Sequence, residues 1–167
     1  VSETTHSFGT QPRHLQLHYK RLLQGMRTLE LNAPPWLTEQ NLEQAIVRLL
    51  NKNRLFDSAR VRVTAYRDDG GFYTPTTSNA SVTIDAQPLE TRMYTLNQQG
   101  YLVGIYEELR KPLNALSGVK SCNALLFVKA GLYCKANNLD DYIILNEQGR
   151  VAEAISSNVF VARGGKL

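Results

Sequence analysis

The amino-acid sequence predicts an α+β protein built in two parts. In the first 50 residues, apolar side chains recur every three or four positions, which is the spacing of amphipathic helices. Apolar and polar side chains then alternate in residues 59–66 and 80–84, as in strands with one exposed face. A polar stretch from 87 to 100 follows, and beyond it strand and helix patterns start again. We therefore expect a small N-terminal domain, residues 1–89, and the first part of a second domain, residues 96–167.

The N-terminal domain is predicted to contain two helices packed on the strand of residues 59–66. The first spans residues 14–29, and its apolar stripe consists of Leu15, Leu22, Met26 and Leu29. The second follows Thr38, a residue type that caps helix N-termini. Its apolar stripe consists of Leu42, Ala45, Ile46, Leu49 and Leu50.

The second domain is predicted to begin with a strand at residues 101–106. A helix follows over residues 122–138, with Leu125, Val128 and Leu132 directed inward. The remaining pattern predicts three short strands, at residues 142–145, 151–154 and 158–162, the first two joined by a turn. A Gly-Gly pair at residues 164–165 normally leads to a returning strand. Since the sequence also opens inside a strand pattern, we expect a chain truncated at both ends.

Composition and charge exclude several classes of protein. Hydrophobic residues make up 43% and charged residues 20%, as in ordinary soluble globular domains. The net charge is +4, but Lys and Arg are scattered, so no nucleic-acid partner is predicted. No apolar run approaches a membrane span, and residues 1–10 have no signal-peptide pattern. Cys122 and Cys134 lack metal-ligand spacing and are expected to be buried, which favours no metal site and a cytoplasmic location.

Two segments near the C-terminal end carry a motif. The first is Ser-Gly-Val-Lys-Ser-Cys-Asn-Ala-Leu at residues 117–125, which opens the predicted helix. The second, residues 147–160, contains a glutamate followed five residues later by Asn and an apolar pair. In order and spacing this pattern resembles class IV aminotransferases. The matching residues are Lys120, Asn123, Glu153, Asn158, Val159 and Phe160.

The N-terminal half is also similar to this family. His18, Arg21 and Leu22 match its His-x-x-Arg-Leu helix, and Glu3-Thr4 and Gly9 precede them at suitable distances. Two positions depart from the family pattern. Ser2 stands where an aromatic residue is usual, and Ala124 stands where many members have a tyrosine near the cofactor. No role is therefore carried over to position 124.

The resemblance implies a two-lobed fold type IV enzyme that uses pyridoxal 5′-phosphate, with Lys120 as the catalytic residue that forms the Schiff base. The reaction needs a neutral amine, and a helix start disfavours the protonated lysine. Glu153 would face the pyridine nitrogen, where a carboxylate favours the pyridinium form. Arg21 would bind the phosphate, which a guanidinium fork matches in geometry.

Arg60 and Arg62 alternate with apolar residues and therefore share one face of a strand. In the family this strand often carries an arginine, which makes Arg62 the preferred ligand of a substrate carboxylate and Arg60 the second candidate. The alternative is a solvated polar face of an antiparallel sheet.

Three functions remain open at this point. The first is an aminotransferase that passes an amino group between an amino acid, branched-chain ones among the candidates, and a 2-oxo acid. The second is an aminodeoxychorismate lyase that releases pyruvate to give 4-aminobenzoate, and the third is a non-catalytic remnant of the same fold. Lys120, Glu153 and Arg21 are shared by the first two and cannot separate them. The resemblance further implies a homodimer and small-molecule substrates, and the lack of a long apolar run predicts no membrane partner.

Overall fold

A computed structural model describes residues 1–90 and 95–167 of the chain, so residues 91–94 of the predicted interdomain link lie outside the described part. The chain divides into two compact units. The first contains residues 1–90 and Gly118–Cys122, and the second contains Thr95–Ser117 and Asn123–Leu167. Each unit combines helix and sheet, which confirms the predicted α+β class. The domain boundaries at 1–89 and 96–167 stay a prediction.

The first unit is a four-stranded antiparallel sheet with strand order β2-β1-β3-β4 and two helices. Its elements are β1 Ser2–Phe8, β2 Gln11–Pro12, α1 Leu15–Thr28, α2 Glu39–Lys52, β3 Ser58–Arg67 and β4 Ala80–Pro88. The helices and the strands at 59–66 and 80–84 therefore form where the sequence predicts them. β4 is longer than predicted and includes Gln87 and Pro88, which the sequence had suggested as part of the link.

The core of the first unit confirms the two predicted apolar stripes. Thr38 caps α2 by accepting a hydrogen bond from the backbone N–H of Asn41 at 3.2 Å. The buried residues of the two helices and of β3 form one cluster, which includes Leu15, Leu22, Met26, Leu42, Ile46, Leu50, Val61, Val63 and Ala65. Burying each Leu or Ile side chain contributes about 1.5–3 kcal/mol. This cluster fixes α1 against β1, and the candidate site uses both elements.

The segment Gly118–Cys122 packs with the first unit although it lies far along the chain. The backbone C=O of Lys120 accepts a hydrogen bond from the N–H of Ser2 at 2.9 Å. The side chain of Val119 packs against the core cluster. Gly25 of α1 makes room here, because a Cβ at this position would lie 2.7 Å from a methyl group of Val1 and 3.6 Å from one of Val119.

The second unit has a three-stranded sheet with the order β5-β6-β7. Its elements are β5 Val103–Lys111, α3 Leu125–Ala136, β6 Asp141–Asn146 and β7 Val151–Ala154. β5 and β6 are parallel, so the chain must cross over between them, and α3 forms that crossover. β6 and β7 are antiparallel neighbours. The buried core consists of Tyr106, Ala130, Cys134, Tyr142 and Ile144.

The prediction for α3 was right about the helix and wrong about its buried face. Leu125, Val128 and Leu132 are 75%, 56% and 63% exposed, whereas Ala130 and Cys134 are buried. The reason is that α3 has apolar residues all round, so residue spacing does not single out one face. Cys122, which we expected to be buried, is exposed and precedes the helix.

The predicted strand at residues 158–162 was also wrong, since these residues lie outside the strands of the described chain. They extend beyond β7, whose described pairing partner is β6 alone, so no neighbouring ladder is available to them. The Gly-Gly turn that follows does form. It is closed by an isolated antiparallel bridge between Arg163 and Lys166, with Gly164 and Gly165 both at positive φ.

Candidate functional site

Lys120 is anchored at its backbone and exposed at its side chain. The bond from Ser2 to its carbonyl holds the main chain against the start of β1. The neighbouring Val119 is packed on the core, and its C=O accepts a 2.8 Å hydrogen bond from the N–H of Ser121. The amine of Lys120 therefore extends from a fixed base into an accessible space, which suits a nucleophile that must reach a bound molecule.

Arg21 does not stand alone on α1, because the buried carboxylate of Glu3 binds it. Glu3 lies on the core-facing side of β1 and is 3% exposed. Arg21 donates through Nε to Glu3 Oε1 at 2.7 Å and through Nη2 to Oε2 at 2.5 Å. His18 Nδ1 lies 2.8 Å from the same Oε2. Since a carboxylate only accepts, His18 carries its proton on Nδ1 in this arrangement.

The pairing keeps Arg21 charged and leaves part of its guanidinium accessible. The hydrogen bonding that Arg21 donates to Glu3 is the largest effect and raises the pKa of Arg21, partial burial lowers it, and the charge of Glu3 raises it further. The side chain of Arg21 is 53% exposed. A guanidinium has five N–H donors, and Glu3 takes two of them. Arg21 can therefore bind Glu3 and an outside anion at the same time.

Arg60 and Arg62 lie on the opposite face of this sheet from Glu3. Arg62 is paired in register with Thr4 on β1 and Asp85 on β4, while Arg60 is paired with His6 and Gln87. Arg62 is exposed and Arg60 is partly buried. The structure thus brings the two arginines onto one polar face, as the sequence predicts, with an acidic residue directly across from Arg62.

Glu153 is half-buried on β7 and forms an ion pair with Lys111 at the end of β5. The Nζ atom of Lys111 also lies 6.0 Å from the ring centroid of Phe127. An apolar strand setting makes an unpaired carboxylate costly, and Lys111 supplies the opposite charge. Sequence reasoning missed Lys111, since only the pairing of β5, β6 and β7 brings residues so distant in sequence together.

The loop after Glu153 is held by Asp141, a residue that sequence reasoning also missed. Asn158, which belongs to the family motif, is exposed. Asp141 is 3% exposed, and its Oδ1 accepts from the backbone N–H of Tyr142 at 2.7 Å and of Ile155 at 3.0 Å. Its Oδ2 accepts from the hydroxyl of Ser157 at 2.6 Å. An acidic residue at the start of a buried strand was the available signal.

Taken one at a time, the predicted cofactor residues have side chains that suit the chemical groups of pyridoxal phosphate. The chain provides an accessible amine in Lys120, a partly free guanidinium in Arg21 and a carboxylate in Glu153, which suit an aldehyde, a phosphate and a pyridine nitrogen. Among residues 1–90 and 95–167, no group of three or more His, Cys, Asp or Glu side chains is arranged to hold a metal ion. No helix in the same residues is long and apolar enough to cross a membrane.

Solved structures show which fold this is. A branched-chain aminotransferase from Thermoproteus uzoniensis with norvaline is 23% identical, with a TM-score of 0.81 over 99% of this chain and 56% of that one. An aminotransferase from Brucella abortus bound to PLP is 20% identical, with a TM-score of 0.77 over 99% and 58%. A protein of Legionella pneumophila assigned as a 4-amino-4-deoxychorismate lyase is 18% identical, with a TM-score of 0.75 over 93% and 55%. The chain therefore has about half of the fold type IV aminotransferase fold.

Sequence comparison then gives the family. The model of class IV aminotransferases matches residues 1–167, and the chain belongs to this family. A branched-chain-amino-acid aminotransferase-like protein of Arabidopsis thaliana is 26% identical over 92% of this chain and 28% of its own length. A protein of Methanocaldococcus jannaschii assigned as a branched-chain-amino-acid aminotransferase is also 26% identical, over 92% of this chain and 52% of its own length. The chain thus spans about half or less of these relatives.

Proposed function

We propose that the full-length protein is an aminotransferase that uses pyridoxal 5′-phosphate and Lys120 to pass an amino group from an amino acid to a 2-oxo acid. The observation that carries this proposal is the anchoring of Lys120: its backbone is held by Ser2 while its amine is exposed. Membership of the class IV family supports the same reading. Branched-chain amino acids are the first substrates to test, because both sequence relatives have names of that kind.

Each proposed cofactor residue has a distinct task. When bound, the cofactor supplies an electron sink that weakens the bonds at the substrate Cα. Lys120 would hold the cofactor through its Nζ, and the same amine, when free, would accept the proton from the substrate Cα. Arg21 binds phosphate oxygens through the N–H groups that Glu3 leaves accessible. Glu153, which is paired with Lys111, would stabilise a proton on the pyridine nitrogen through its negative charge.

Arg62 is the proposed ligand of the substrate carboxylate, and Arg60 is the second candidate. Their shared polar face on β3 supports this role, since a carboxylate can accept two N–H bonds from one guanidinium. The alternative is that this polar face of the antiparallel sheet is exposed to solvent and binds no substrate. The homodimer and the cytoplasmic location inferred from the sequence stay predictions.

A lyase acting on aminodeoxychorismate is the second candidate function. The likeness to the Legionella pneumophila protein supports it at the level of the fold. The two reactions can be separated by product. Full-length protein is incubated with cofactor and either leucine plus 2-oxoglutarate or aminodeoxychorismate, and glutamate and 4-aminobenzoate are measured. Formation of neither product by protein that binds the cofactor would favour the non-catalytic remnant.

The role of Lys120 is tested by chemical trapping. Full-length protein is loaded with pyridoxal phosphate and reduced with borohydride, and the modified peptide is identified by mass spectrometry. We expect one modified residue, Lys120, and no modification in Lys120→Ala. Lys129→Ala is the matched control, because Lys129 is an exposed lysine on α3. Modification that persists in Lys120→Ala at the level of the control would refute the proposal.

A further inference from the structure

Two consecutive residues at the start of β1 hold both groups proposed to bind the cofactor within the first unit. The N–H of Ser2 binds the backbone of Lys120, and the carboxylate of Glu3 binds the guanidinium of Arg21. Ser2 contacts only the backbone of Lys120 and leaves its amine accessible. Glu3 takes two of the guanidinium N–H groups of Arg21, and the side chain of Arg21 is still 53% exposed.

The contact between Glu3 and Arg21 determines which N–H groups remain available. Glu3 takes the Nε–H and one Nη2–H. The N–H bonds left over are the two on Nη1 and the second on Nη2. The second Nη2–H and one Nη1–H are parallel and form the end-on edge of the planar guanidinium. That edge can bind two oxygens of one phosphate. Because Glu3 is buried, the guanidinium cannot turn this edge inward without breaking the fork.

We propose that Glu3 is a positioning residue that orients Arg21 toward a phosphate monoester. This inference rests on the proposed use of pyridoxal phosphate. A free arginine side chain must give up conformational freedom when it binds an anion, and Glu3 has already removed that freedom. His18 completes the arrangement, since its Nδ1–H binds Oε2 of Glu3 and limits rotation of the carboxylate.

The experiment compares two ligands that differ only in the phosphate. Full-length wild-type protein, Glu3→Gln and Glu3→Asp are titrated with pyridoxal phosphate and with pyridoxal, and binding is followed by visible absorbance. Glu43→Gln is the matched control, because Glu43 is an exposed carboxylate on α2. We expect Glu3→Gln to weaken binding of the phosphorylated ligand about tenfold or more, by analogy with the residues that orient the ligands of bound metals. Pyridoxal affinity should change less than about twofold, because pyridoxal has no phosphate for Arg21 to bind.

A second readout is the ³¹P NMR signal of the bound phosphate, which should shift in both Glu3 variants and stay in place in Glu43→Gln. Equal weakening of both ligands would mean that Glu3 acts only on folding, and would overturn the proposal. Glu3→Asp keeps the charge but has a side chain shorter by one methylene, which moves the carboxylate away from Arg21. If Glu3→Gln does not fold, the two ligand affinities are compared between Glu3→Asp and the wild-type protein. A wild-type protein that attaches neither ligand to Lys120 would refute the proposed function. An intact Lys120 adduct with an unchanged ratio of the two affinities in the Glu3 variants would refute the role of Glu3 alone.

Discussion

Replacement of Asp141 by alanine should destabilise the second unit far more than the same change at its neighbour Asp140. Asp141 is buried and accepts hydrogen bonds from two backbone N–H groups and one hydroxyl. Asp140 is exposed and accepts one, from the N–H of Leu102 at 2.7 Å. The two positions are adjacent in the sequence and chemically identical, so their difference isolates the effect of burial and bonding.

The magnitude follows from the bonds that are lost. A hydrogen bond to a charged group contributes roughly 1.5–3 kcal/mol, and alanine would leave two backbone donors in this region without their acceptor. Allowing for water that reaches the exposed Ser157, we expect Asp141→Ala to lower the free energy of unfolding by about 3 kcal/mol. Asp140→Ala should cost about 1 kcal/mol or less, because water replaces its exposed bond.

The assay is urea unfolding of the full-length protein, followed by circular dichroism. With a denaturant slope of about 1.5 kcal/mol per molar, the unfolding midpoint should fall by about 2 M for Asp141→Ala and by less than about 0.7 M for Asp140→Ala. Asp141→Asn keeps one acceptor oxygen, so its unfolding midpoint should lie between the midpoints of Asp141→Ala and Asp140→Ala. Equal midpoints for the two alanine variants would show that the bonds of Asp141 do not stabilise the unit.

Two further predictions concern glycine and cysteine positions. Gly25→Ala should lower the free energy of unfolding by about 1–3 kcal/mol, because the added methyl group would meet Val1. Gly131→Ala on α3 should raise it by about 0.5–1 kcal/mol, because nothing lies within 4 Å of the added methyl group and alanine favours the helix. Thermal unfolding measures both, and a stabilising Gly25→Ala would contradict the packing described here. Iodoacetamide should label the exposed Cys122 in the native protein and Cys134 only after unfolding, because Cys134 is buried and its thiol pKa is raised, first by burial and then by Asp141 and Asp140. Mass spectrometry reads the labelling, and equal rates at the two cysteines would contradict the burial of Cys134.

The parts of the fold that local patterns define could be predicted from the sequence, and α2 is the clearest example. Thr38 caps the helix and one apolar stripe contacts the sheet, so capping and spacing carry the same information. α3 lacks this signal because it is apolar on every side, and its buried face depends on which strands lie against it. Residue spacing alone therefore does not determine which face of α3 is buried.

In the candidate site, too, some features could be predicted from the sequence and others could not. The motif around Lys120 and the helix position of Arg21 can be read from the sequence. Their partners cannot, because Glu3 meets Arg21 only when β1 packs on α1, and Lys111 meets Glu153 only when β5 and β7 flank β6. The sequence shows that these residues are charged, but tertiary structure determines which residue each of them pairs with. The residues proposed to bind the cofactor therefore follow from the family resemblance, whereas the residues that hold them in place are seen only in the folded structure.

The bond between Ser2 and Lys120 has a consequence for the order in which this protein assembles. It joins two residues that are remote in sequence, and contacts of that kind close large loops and slow folding. During synthesis, the strand that receives Lys120 leaves the ribosome long before the lysine does. The lysine therefore cannot take its final position until most of this chain has been made.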